Sequence, residues 1–284
     1  FRLFLSGNLL ATLGMQMQGV AVGWEIYGRT GSKMALGLVG LIQFFPVVAL
    51  ALVTGHVADR FDRKRIVMAS MVVIALTSVG LAWISIVRAD PRWMFVCLFI
   101  IGVARAFHQP ARASLVPQLV PSDRFSNAVA WNTGGFHLAC VLGPAVGGQL
   151  IALTDGAQVV YVLDAVAALG FFCFLLFVRS RPVTPSNKGS TMREFAAGFG
   201  FVRSNQIVLA AISLDMFAVL FGGATTLLPV FAAKEMLDVG ARGLGWMRSA
   251  PAIGALMMSI ILAYRPPLGQ AGKALLWSIV GFGV

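Results

Sequence analysis

Three carboxyl groups stand inside or near the end of long apolar stretches: Asp215, Asp164 and Glu25. Keeping a charge in such surroundings costs free energy, so an acid found there is a candidate for handling an ion or a proton. A carboxyl that alternates between its charged and neutral forms is a simple proton carrier. Asp215 lies nine or ten residues into its stretch and is the leading candidate, with Asp164 second. Glu25 is a third, and its place near the end of its stretch predicts exposure at an interface. For each acid the alternative is structural: a carboxylate fixed to a serine, a threonine or a freed helix amide. His56, His108 and His137 form no cluster in the sequence, and Cys97, Cys140 and Cys173 match no metal spacing. The cysteines read as small packing residues, and no metal or cofactor is expected.

A second constellation is charged. Asp59, Arg60, Asp62, Arg63, Lys64 and Arg65 fall within the seven residues 59–65, between two apolar runs. A helix is expected to end at Gly55 and another to start directly after the charges. Such a hairpin is an orientation lock and a hinge. A third constellation is built of small residues. Gly143 and Gly147 form a Gly-x-x-x-Gly face for close helix contact, with Gly148 beside it, while Pro144 frees a carbonyl and allows a bend. Gly245, Ser249 and Ala252 or Gly254 are the expected partners. A sliding interface and a static packed pair fit these residues equally.

The elements that must position these groups follow from composition. Of 284 residues, 58% are hydrophobic and 12% charged, against about a quarter charged in soluble domains. Apolar stretches of roughly twenty residues match a bilayer core of about 30 Å. No ten-residue alternation is present, so the spans are helices and not barrel strands. The net charge of +11 does not indicate nucleic acid, because the basic residues sit at helix ends. The first stretch is too long for a signal-peptide core and lacks a cleavage site.

Eight spans are expected near 5–27, 34–57, 66–87, 93–110, 127–153, 157–178, 206–231 and 243–264, with a ninth starting near 273. With the N-terminus inside, fifteen of the 22 lysines and arginines fall on the cytoplasmic side. Arg248, one turn inside span eight, is expected to snorkel outward. The longest polar stretch divides the chain into a six-helix bundle over 1–180, a cytoplasmic linker over 181–205 and a partial second bundle over 206–284. Thr191 and Glu194 make a capping box in the linker, and the apolar stripe after it predicts an amphipathic helix on the inner membrane surface or on the spans themselves. Leu36-Gly37 recurs as Leu244-Gly245, an offset of 208 residues. A repeat of that period implies a whole chain of roughly 400 residues in two parallel halves. The start at Phe1 and the stop at Val284 within an apolar run fit part of such a chain.

The order Gly55-x-x-Ala58-Asp59-Arg60-x-x-Arg63-Lys64 resembles motif A of the major facilitator superfamily, with Asp62 where the family has a second glycine. Residues 105–121 resemble the end of span four in the drug- and siderophore-exporter branch, the group similar to enterobactin exporters. Arg105 takes the place of the superfamily's span-four arginine, where its fixed charge would tune a nearby acid; snorkelling to the inner surface is the alternative. Gly143-Pro144-Ala145-Val146-Gly147-Gly148 is similar to the end of motif C, although Ala130 and Ala139 replace its upstream glycines. The segment around Asp215 resembles the same branch.

The resemblance implies an all-α integral membrane protein with the major facilitator fold, in the inner (plasma) membrane with its N-terminus cytoplasmic. It implies a secondary active exporter of small amphiphilic molecules, driven by proton antiport through alternating access. Its partners would be substrate, protons and membrane lipids, and the complete protein would work as a monomer. Asp59 would accept from helix amides or from an arginine of the other half, and the arginines would anchor at headgroups. Met15, Met17, Trp24, Phe44, Phe45, Phe217 and Phe221 are candidates to line a greasy cavity, or equally to face lipid and neighbouring helices. No phosphate-binding loop, His-Glu-x-x-His or Gly-x-Ser-x-Gly sequence is present, so neither a primary pump in this chain nor an enzyme is indicated. A non-transporting sensor or assembly factor on a carrier scaffold is the alternative function.

Overall fold

The computed structural model describes residues 1–121, 124–178, 203–222 and 238–263, with residues 200, 272–273, 276–278 and 281 besides. Among these residues there are helices and no strands. The first, α1 (Arg2–Thr30), stops where Gly31 takes φ 60° and ψ 6°, a left-handed conformation that glycine adopts without penalty. The Gly31 amide then donates to the Tyr27 carbonyl at 2.8 Å. Ser32 caps the next helix, α2 (Lys33–Ala49), by accepting from the Ala35 amide.

The second expected span is interrupted. After α2 the chain pauses at Leu50 and continues as α3 (Ala51–Arg60). Pro46 inside α2 has no amide to donate to the preceding turn, which weakens the helix just before the break. Gly55 does not end a helix, as the sequence had suggested, but lies inside α3. The turn comes at Phe61 and Asp62. Asp62 has φ −60° and ψ 112°, which any residue adopts, and its carboxylate accepts from the Lys64 amide at 2.9 Å. An aspartate therefore serves here as the N-cap of α4 (Arg63–Ile86) and needs no glycine's freedom.

A larger difference concerns α5 (Arg92–Leu119), which passes through Pro110 and Pro117 instead of stopping near residue 110. Burial overrides the two prolines: Ala111, Leu115 and Val116 are all buried beyond the expected end. Then come α6 (Phe125–Thr154), which keeps Pro144 inside it, and α7 (Gln158–Phe177). Two further helices are α8 (Gln206–Gly222) and α9 (Gly240–Ala263). The expected amphipathic helix of the linker lies outside the described residues.

Packing joins α1 to α6 and α7, α4 to α5 and α7, and α2 to α5. The later helix α9 lies along α6 and touches α1. Two apolar clusters fill the bundle. One contains Val20 and Ile26 of α1, Leu81 of α4, Leu98 of α5 and Tyr161 of α7. The other contains Phe4, Met71, Leu115 and Phe171 toward the opposite end. Ser78 falls between them on α4, and Asp164 between them on α7, so a polar layer separates two apolar ones.

The outside of the bundle is apolar as well. Trp83, Trp131, Leu153 and Phe177 are exposed, the reverse of a water-facing surface and the arrangement of helices in lipid. Four helical stretches among the described residues are long and apolar enough to cross a membrane: Arg63–Ile86, Arg92–Leu119, Asn127–Thr154 and Gln158–Phe177. α1 has the length without the same hydropathy, because Asn8, Thr12, Gln18 and Glu25 lie on its buried side.

Candidate functional site

Asp164 is buried in the polar layer near the middle of the bundle. Its neighbour on α1 is Gly14, where a Cβ would stand 2.7 Å from Asp164 Oδ1 and 3.1 Å from its Cα. A glycine there lets α1 and α7 come close enough to share a hydrogen-bond network. Asp164 Oδ2 accepts from Ser78 Oγ at 2.6 Å and from Gln18 Nε2 at 3.0 Å. Gln18 Nε2 also lies 2.9 Å from Ser78 Oγ. The Gln18 carbonyl oxygen accepts from Arg105 at 3.3 Å, and Arg105 donates a second bond to Gln43 Oε1 at 2.6 Å. One carboxyl, one hydroxyl, two amides and a guanidinium from α7, α4, α1, α2 and α5 thus form one connected chain. Arg105 does not snorkel to a surface; it bonds inward.

A cavity of about 60 Å³ opens beside this network. Asp164, Arg105, His108 and Arg112 line it together with Asn8 and Thr12. Met15, Met71, Ile74 and Phe136 supply apolar wall. Arg105, His108 and Arg112 share a face of α5, spaced by three and four residues as one helix face requires. Arg112 donates to Asn8 Oδ1 at 2.8 Å, and Asn8 Nδ2 donates to Asn132 Oδ1 of α6 at 3.0 Å. The ring of His108 stands edge-on to Phe171 at 6.4 Å.

Glu25 differs from its expectation of interfacial exposure. It is buried and pairs with Arg29 at 2.6 Å. Arg29 in turn donates to the carbonyls of Ala89 at 2.9 Å, Ser85 at 3.1 Å and Ile84 at 3.3 Å. The pair caps the turn between α4 and α5, and an i,i+4 spacing on α1 brings the two charges together. Asp215 lies midway along α8, and its side chain falls outside what is described, as do those of Asp59, Arg60 and Phe221.

Two basic residues of the charged turn bind the ends of other helices. Lys64 Nζ donates to the Val178 carbonyl at 2.7 Å and to that of Leu176 at 3.4 Å, at the C-terminus of α7. Arg63 donates to the Ser114 carbonyl at 3.4 Å.

The small residues of α6 serve two neighbours. Gly143 and Gly147 face α1, where their Cβ atoms would meet the Leu13 carbonyl at 3.1 Å and Met17 Cα at 3.0 Å. Gly148 and Pro144 face α9: a Cβ on Gly148 would stand 2.9 Å from Gly245 Cα, and one on Gly245 would strike the Pro144 carbonyl. Ser249 Oγ donates to the Val141 carbonyl at 2.7 Å. Gly245 and Ser249 are therefore partners of α6 as expected, but through Gly148 and not through the Gly143/Gly147 pair. Arg248 does not snorkel: it donates to the Gly19 carbonyl of α1 at 2.8 Å.

Of the cavity candidates, Met15 lines the site and Met17 is buried in the apolar core. Trp24 packs partly against that core. Phe44 and Phe45 on α2 and Phe217 on α8 are exposed. Sequence reasoning missed Asn8, Gln18, Gln43, Ser78, His108 and Arg112. Their signal was a polar stripe, with Asn8 and Thr12 four apart on α1, and Arg105, His108 and Arg112 on α5. Neutral residues in apolar runs stand out less than acids.

The Major Facilitator Superfamily family model matches residues 4–284. Similar proteins include the multidrug efflux pump Tap of Mycobacterium tuberculosis, 26% identical over 93% of this chain and 66% of its own length. Macrolide efflux protein A of Streptococcus pyogenes is 24% identical over 73% of this chain and 52% of its own length. The enterobactin exporter EntS of Shigella boydii is 22% identical over 99% of this chain and 67% of its own length. The chain thus spans about half to two thirds of the curated relatives it matches. A POT family transporter, solved with a thioalcohol-conjugated peptide, superposes with TM-score 0.66 at 11% identity, over 92% of this chain and 68% of that one. That likeness carries the fold. With apolar helices, a polar network between them and a family match over nearly its whole length, the chain belongs to the Major Facilitator Superfamily.

Proposed function

We propose that this chain is the N-terminal bundle and part of the second bundle of a secondary active exporter of small amphiphilic molecules, working by proton antiport through alternating access. The observation that carries the reading is the buried Asp164, bonded to Ser78 and Gln18 and joined through Gln18 to Arg105 beside a cavity. The efflux activities in the names of Tap, macrolide efflux protein A and EntS support export as the direction. A carboxylate at Asp164 accepts both hydrogen bonds and holds Gln18 toward Arg105. Protonation removes that charge and weakens the hold of the network across α1, α4, α5 and α7. Loading and release of the proton would so be felt by helices of the same bundle. Asp215, midway along α8, is proposed as a second coupling acid.

The experiment is flux in sealed vesicles holding the full-length protein. With a proton gradient imposed, a macrolide or siderophore substrate is expected to accumulate against its own gradient, and collapse of the gradient by an ionophore should stop it. Absence of any flux across a screen of macrolides, siderophores and lipids would favour a sensor or assembly factor instead.

A further inference from the structure

The cavity beside Asp164 holds more positive than negative charge, with two arginines against one acid among its described lining residues. Arg105 and Arg112 both line it, and their hydrogen bonds end on the amide oxygens of Gln43, Gln18 and Asn8, not on carboxylates. The ion pairs of Arg29 with Glu25 and of Arg65 with Asp62 involve neither arginine. Two buried nitrogens of lining residues, Arg105 Nε and His108 Nδ1, have no hydrogen-bond partner. Asp164 is the only acid among the described lining residues, and its Oδ2 is already engaged by Ser78 and Gln18.

A guanidinium away from water and without a counter-charge is costly, and the cost is recovered when an oxyanion reaches it. Arginine presents planar paired donors that suit a carboxylate, and charge-assisted bonds of this kind are the strong ones. Met15, Met71, Ile74 and Phe136 give the wall an apolar side beside its polar groups. At about 60 Å³ the cavity suits a small acidic group, since whole ligands of drug size need several hundred Å³. We propose that this cavity seats the acidic group of an anionic amphiphile, a carboxylate or comparable oxyanion held by Arg105, His108 and Arg112, while the apolar body runs out past the exposed Phe136. The proposal deepens the transport reading and rests on it in taking the cavity as the substrate's.

The test compares two probes of one shape, 1-naphthaleneacetate and its neutral amide, by calorimetric titration of the purified full-length protein in detergent. The acetate is expected to bind at least about tenfold more tightly than the amide, the scale of one charge-assisted contact. Arg112→Gln should bring the acetate to the level of the amide, and Arg112→Lys should keep part of the preference. Equal affinities in the unmodified protein, or no binding of either probe, would overturn the proposal. Should Arg112→Gln fail to fold, the comparison on the unmodified protein decides alone. Binding needs no proton gradient, so the two readings fail separately. A protein that prefers the acetate but never concentrates substrate loses only the transport reading. One that pumps and binds both probes equally loses only this one.

Discussion

At the scale of single residues, the side chain that matters most is Asp164, because its Oδ2 ties α7 to α4 and α1. Asp164→Asn retains an oxygen to accept from Ser78 and removes the charge. Uphill export driven by a proton gradient is expected to vanish, while downhill exchange of substrate and surface expression stay near normal. Asp215→Asn is the parallel test, with the same expectation if both acids couple. A variant that still concentrates substrate at a near-normal rate marks its aspartate as structural. Glu25 invites a different experiment, since its partner Arg29 also holds three carbonyls of the α4–α5 turn. Arg29→Ala leaves a buried carboxylate alone and is expected to cost about 3 kcal/mol, read as a lowered thermal unfolding midpoint in detergent. Glu25→Gln together with Arg29→Ala should recover part of that loss; if the double variant is no better, the ion pair is not what Arg29 contributes.

Among elements, the contact of α6 with α9 is the most constrained. Backbone meets backbone there: Gly245 lies over Pro144 and Gly148, and no side chain can yield to make room. Gly245→Val should therefore push the two helices apart and cost about 1–3 kcal/mol, the range for overpacking. Cross-linking between cysteines placed at Val141 and Ser249, where the Ser249 hydroxyl reaches the Val141 carbonyl at 2.7 Å in the unmodified protein, would report the separation. Unchanged cross-linking with an unchanged unfolding midpoint would show that the interface absorbs the valine. Gly55 offers a contrast. It lies inside α3, where a Cβ would meet no described atom within 4 Å outside its own helix turn.

For the whole molecule, orientation in the membrane is the property most open to test. By the positive-inside rule, the basic charges predict the 59–65 turn on the cytoplasmic side. With Cys97, Cys140 and Cys173 replaced by serine or alanine, a cysteine at Arg63 should escape an impermeant thiol reagent applied to intact cells and react once the inner face is opened. Labelling from outside would reverse the topology. The same turn grips the bundle, through Lys64 on the end of α7 and Arg63 on Ser114.

Apolar content, span-length stretches and the placement of basic residues are properties of consecutive residues, and from them a helical membrane protein was already legible. So was the family, in the charged turn after Gly55. Both follow because lipid allows few backbone arrangements and because short motifs survive as unbroken strings. The site was legible only in part. Asp164 stood out as an acid in an apolar run, but Gln18, Ser78 and Gln43 are neutral, and their sequence separation from it gives no sign of contact. The exposure expected of Glu25 and the snorkelling expected of Arg248 were inverted by packing: Glu25 meets Arg29, and Arg248 meets the Gly19 carbonyl on α1. The span-four helix ran on past Pro110 because Ala111, Leu115 and Val116 found buried surface beyond it. Which polar atoms meet, and where a helix with prolines stops, depends on neighbours brought from distant parts of the chain. Helix–helix packing decided those points, and it is set by shapes that no local window contains.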